Sequence, residues 1–122
     1  MTMDDVQIAR PGADIAVVAL HGEHDLTTRE QFASLLSTEI TDNELVVVDV
    51  SEADFIDSSV CHNLIWADQL ARAGGTRFVL QMGTARIVRR AIEISGVLDS
   101  VTWVGSREEA LQRARRGGAV LV

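Results

Sequence analysis

The sequence predicts an α/β domain with a central, mostly parallel or mixed sheet of four or five strands and about four helices. Valine-rich apolar runs alternate with segments whose apolar residues recur at helical spacing, and glycines and capping residues fall between them. The run "LVVVDV" at 45–50 adds a third sign, because an unbroken Leu/Val stretch suits a strand buried on both faces of a helix-covered sheet.

Each element has its own local reason. "VQIAR" (6–10), before Pro11, reads as an edge strand that pairs with "DIAVVAL" (14–20) across the turn "PGAD". In "TTREQFASLLSTEI" (27–40), Thr27 or Thr28 can cap a helix that sets Phe32, Leu35, Leu36 and Ile40 on one face. "LVVVDV" is then the central strand. "SSVCHNLIWADQLARA" (58–73) opens on serines, stops before Gly74-Gly75, and aligns Val60, Leu64, Ala67 and Ala71 in a narrow stripe that allows close packing on a sheet. "TRFVLQM" (76–82) is the next strand, followed by "TARIVRRAIEISG" (84–96), a helix capped by Thr84 and stopped by Gly96. "SVTWVG" (100–105) supplies a short strand, and "SREEALQRARRG" (106–117) opens a last helix on the Ser106 to Glu109 capping-box spacing. Strands and helices in this order imply right-handed crossovers.

Composition narrows the function classes. With 122 residues and 47% hydrophobic content the chain is expected to form one domain over 1–122, with apolar surface enough for a core. A net charge of -7 argues against direct nucleic-acid binding, which needs clustered Lys and Arg. The short run "QRARR" (112–116) reads as a solvated last helical turn, its cations near the negative end of the helix dipole. The first residues are acidic and no long apolar stretch occurs, so neither a signal peptide nor membrane insertion is expected and the location is read as cytoplasmic. Cys61 has no disulfide partner, and with His21, His24 and His62 it shows no metal-ligand spacing, so no metal or other cofactor is expected.

Three segments together point to a family. "GEHD" (22–25) precedes the first helix, "VVVDVSEADFIDSS" (46–59) joins the central strand to the next helix, and "SGVLDSVTWVGSREEAL" (95–111) closes the chain. In this order and spacing the sequence resembles the STAS domain family, especially its stand-alone anti-sigma factor antagonists, over nearly its whole length. The resemblance implies a STAS-like fold and a regulatory binding protein rather than an enzyme. It implies partner switching in transcription control: the chain binds an anti-sigma factor that is also a serine kinase of the kinase-like ATPase type, with a phosphatase as a further partner. The family's phospho-acceptor is the hydroxyl residue directly after the aspartate, which is Ser58 here, with Ser59 as the fallback. The partner-binding residues expected are Glu23, Asp25, Asp57, Ser58 and Ser59, joined by His62 and Trp66, which depart from the family but stand on the surface beside the serines.

The residues themselves leave alternatives open. Phe55 and Ile56 are expected to anchor the strand end, so that Asp57, Ser58 and Ser59 emerge at a helix N-terminus where a phosphate is tolerable. Helix capping alone also explains this trio. Asp25 either caps the helix at 27–40 or stands with Asp57 to orient a kinase-bound nucleotide or repel the wrong charge state. Val60 replaces a glycine usual in the family, and His62 and Trp66 at i, i+4 spacing are expected to be neighbours. Trp66 either anchors a partner or packs under a loop. A STAS docking subunit of a transporter or sensory assembly, without a phospho-switch, is the alternative function. A serine hydrolase built on Ser58 or Ser59 and His62 is weaker, since no Gly-x-Ser-x-Gly elbow is present and residues four apart on a helix align poorly as nucleophile and base. "RAGGTR" lacks the Gly-Lys-Ser/Thr of a phosphate-gripping loop.

Overall fold

The sheet is organised around the valine run. The computed structural model describes residues 5–24 and 29–120, and in it β3 spans Leu45–Ile56, well past the stretch that predicts it. Residues Leu45 to Val50 are all buried because successive side chains enter two different cores. Val46, Val48 and Val50 face one; Leu45 and Val47 face the other.

β1 (Val6–Gly12), β2 (Ile15–His24), β4 (Arg77–Gln81) and β5 (Trp103–Val104) complete a five-stranded sheet in the order β1-β2-β3-β4-β5. β1 runs antiparallel to β2, as the "PGAD" turn predicts, and the other pairs are parallel. The helices are α1 (Arg29–Asp42), α2 (Ser58–Gly74), α3 (Arg86–Ile94), α4 (Val97–Ser100) and α5 (Arg107–Val120). A one-way strand order with crossovers of one hand brings the connecting helices to a single face. Accordingly Leu36 of α1, Leu64 of α2, Ile92 of α3 and Val97 of α4 share the larger core, while α5 adds Ala110 to the smaller one.

Several local expectations need correction. The helix count is as expected, four of seven or more residues, and α4 is an added single turn separated from α3 at Gly96, whose φ of 80° belongs to the left-handed region. Thr84 does not cap α3, which starts one turn edge later with Ala85 at the cap position and no side-chain hydrogen bond there. α5 continues to Val120, so "QRARR" lies inside the helix rather than in its last turn. Thr27 and Thr28 fall outside the described residues. Ser106 does cap, its Oγ accepting the Glu109 N–H at 3.2 Å, and Gly75 closes α2 in the left-handed conformation.

Two features set up the functional end. β3 pairs with β4 only as far as Asp49–Gln81, whereas β2 and β3 stay paired to His24–Ile56. This leaves a two-stranded extension reaching beyond β4. Where β3 departs from β4, the β4–α3 turn presses against it: a Cβ on Gly83 would stand 2.6 Å from the Ser51 Cα. Nearby, buried Asp49 accepts from Arg107 Nη2 at 2.6 Å while Arg107 Nε donates to Gln81 Oε1 at 2.9 Å, fastening α5 to the sheet.

Candidate functional site

The site begins where β3 ends. Ile56 is buried at the tip of the extension, and the Asp57 N–H donates to the His24 carbonyl at 3.2 Å, which fixes the first residue after the strand. His24 is itself buried, with Nε2 2.8 Å from the His21 carbonyl oxygen. Phe55 does not anchor the end as predicted. It is 37% exposed, because neighbouring strand residues point to opposite sides and Ile56 takes the inward direction. Phe55 lies opposite exposed Glu23 in the register.

Asp57, rather than either serine, caps α2. Its backbone is extended, and Oδ1 accepts the Ser59 N–H at 2.9 Å and the Val60 N–H at 3.2 Å, two donors that no helical carbonyl can reach. The same oxygen accepts the Ser59 hydroxyl at 2.5 Å. The serines are thereby separated. Ser59 is buried and committed to the cap, while Ser58, the first helical residue, is exposed and its hydroxyl has no hydrogen-bond partner among the described residues. The stripe beneath them holds as predicted: Val60, Leu64, Ala67 and Ala71 are all buried.

On the outer face of α2, His62 and Trp66 are both exposed and stand side by side along a cleft of about 310 Å³. Trp66 is 40% open to solvent. The other wall is the start of α1, with Arg29, Glu30 and Ala33. Asn63 ties the two helices together there, Nδ2 donating to the Arg29 carbonyl at 3.1 Å. Sequence reasoning missed Arg29 and Asn63. A polar residue facing inward one turn past the serines was the available signal.

The predicted residues Asp57, Ser58, Ser59, His62 and Trp66 thus lie along the first half of α2, and Glu23 on the adjoining strand pair. Asp25 lies outside the described residues. Among the described residues no hydrolytic arrangement is formed, since the Asp57 carboxylate is turned into the helix start and serves the cap rather than the imidazole of His62. Among the described residues no helix is long and apolar enough to cross a membrane.

A family model for the STAS domain matches residues 8–111. The chain belongs to the STAS domain family. No curated protein matches the sequence. Solved structures do. The anti-sigma factor antagonist SpoIIAA in its unphosphorylated form is 24% identical with a TM-score of 0.76, over 90% of this chain and 96% of that one. The Bacillus cell fate determinant SpoIIAA in the phosphorylated form is 22% identical with a TM-score of 0.68, over 89% and 98%. A serine-to-glutamate variant of RsbS from Moorella thermoacetica is 25% identical with a TM-score of 0.74, over 93% and 97%. The five-stranded mixed sheet and its helices match the STAS fold of SpoIIAA. STAS anti-sigma factor antagonists are regulatory binding proteins, not enzymes.

Proposed function

We propose that this STAS domain is a cytoplasmic anti-sigma factor antagonist whose binding is switched by phosphorylation of Ser58. One observation carries the choice of residue: the Ser58 hydroxyl is exposed and has no hydrogen-bond partner among the described residues, while the Ser59 hydroxyl is held by Asp57 at 2.5 Å. Support for a phosphate on this fold comes from SpoIIAA, solved in both forms. A kinase-type anti-sigma partner supplies ATP. The Ser58 Oγ–P bond forms, ADP leaves, and the hydroxyl proton passes to the partner's base or to water.

The consequence is electrostatic. Phosphorylation adds roughly -1.5 to -2 charges at neutral pH. They appear beside the Asp57 carboxylate and against a partner surface shaped for a neutral hydroxyl. Glu23 adds to the acidic edge in this reading, and exposed Trp66 provides the apolar anchor that interfaces favour.

Calorimetric titration with the cognate anti-sigma kinase tests the switch. Ser58→Ala should bind as the unmodified chain does and stay bound in ATP, whereas Ser58→Glu should bind at least about tenfold more weakly, the effect of about 1.4 kcal/mol. Mass spectrometry after incubation with kinase and ATP should place one phosphate on Ser58. Phosphate on neither serine, with Ser58→Glu binding undiminished, would sink the switch. Recovery of a transporter or multi-STAS assembly from lysate would then favour the docking subunit.

A further inference from the structure

Two basic side chains, His62 and Arg29, line the cleft on the outer face of α2 and take no part in the capping network. His62 follows Ser58 by one helical turn, and both are exposed, so their Cβ atoms lie about 5–6 Å apart on one face of α2. Across the cleft stands Arg29 at the start of α1, its carbonyl bonded to Asn63 Nδ2 at 3.1 Å so that α1 and the second turn of α2 are tied together. Neither the His62 imidazole nor the Arg29 guanidinium has a hydrogen-bond or ion-pair partner among the described residues. Among the described residues, Glu30 on α1 is the acid that lines the same cleft, and Asp57 stands at the helix start. The Asp57 oxygen nearest the helix already accepts three donors.

We propose that the phosphate on Ser58 is bound within the same chain by His62, with Arg29 as the second basic group across the cleft. This rests on Ser58 being the phosphorylated residue. The contact gives the modification a second effect besides added charge. In the unmodified chain the side chains of His62 and Arg29 are available to the partner along the cleft that holds Trp66; in the phosphorylated chain they turn to the phosphate. One modification therefore removes contacts as well as adding repulsion.

The test uses the full chain with phosphoserine genetically encoded at position 58, which makes it independent of any kinase. In proton–carbon NMR titrations the His62 midpoint should rise by roughly half a pH unit relative to the unmodified chain, the size expected for an i, i+4 ion pair with a dianion. In phosphorus NMR the phosphate's second ionisation should move upward by a similar amount in His62→Gln, and by less in Arg29→Gln. Because His62 is exposed, both variants should keep the dispersed spectrum of the folded chain. An unchanged His62 midpoint in the phosphoprotein would overturn the clamp and leave the switch standing. A shifted midpoint, together with no phosphate on Ser58 after kinase treatment, would overturn the switch under which the clamp acts.

Discussion

Asp57 does three jobs with one carboxylate oxygen, and this gives the neighbouring residues distinct thermodynamic signatures. Asp57→Ala removes the acceptor for two helix-start amides and the Ser59 hydroxyl, so it should destabilise the fold by about 1–2 kcal/mol in urea titrations. Ser59→Ala should cost about 1 kcal/mol, since a buried hydroxyl bonded to a carboxylate is lost. Ser58→Ala, at an exposed and unbonded site, should stay within about 0.5 kcal/mol. Reversal of the two serines in this order would contradict the division between them. Cys61 supplies a separate check: burial pushes its thiol up. Native protein should react slowly with iodoacetamide at pH 8, unfolded protein quickly, and stability should decline as pH climbs past the ordinary thiol value of about 8.5 because the unfolded chain ionises first. At this scale the sequence was legible in the Asp-Ser-Ser order, which places a cap and a helix start. It misled at Phe55, where two adjacent apolar residues cannot both face the core of one strand.

Among the elements, α5 and the β4–α3 turn are held by contacts that local patterns do not reveal. An acid inside a doubly buried strand demands a cation, yet Asp49 finds it in Arg107, 58 residues later in the chain. Arg107→Ala should therefore cost roughly 2–3 kcal/mol by leaving Asp49 buried without its partner, and the double variant with Asp49→Ala should recover part of that loss. Gly83→Ala drives a Cβ against backbone at Ser51 and should cost about 1–3 kcal/mol, with chemical-shift changes confined to the turn and mid-β3. Helix and strand identities were readable because each carries its own period. Their ends were less so: α3 lacks a side-chain cap, and the backbone of β3 continues as a strand through "SEADFI", where no apolar alternation marks it.

For the molecule as a whole, net charge and fold order were open to reading from sequence, and the partner-facing surface was not. Trp66 and Trp103 are similarly exposed, at 40% and 42%, but only Trp66 lines the cleft between α1 and α2. Binding of the proposed anti-sigma partner should therefore shift tryptophan emission to shorter wavelength in Trp103→Phe and leave it unmoved in Trp66→Phe. Trp66→Ala should weaken binding by at least about tenfold while altering stability by less than about 0.5 kcal/mol. The cleft walls come from α1 and α2, which meet only through the tertiary fold, so Arg29 could not be assigned to the site from its neighbours in sequence. The strand pair that outruns β4 has a further consequence. Backbone amides of Glu52 to Phe55 are laddered to one neighbour rather than two, so their opening free energy should lie below that of Val46 to Val48. Hydrogen exchange then becomes graded along a single strand, protected at its valine end and responsive at its serine end. A partner that seats on the switch would register as slowed exchange several residues upstream of anything it touches.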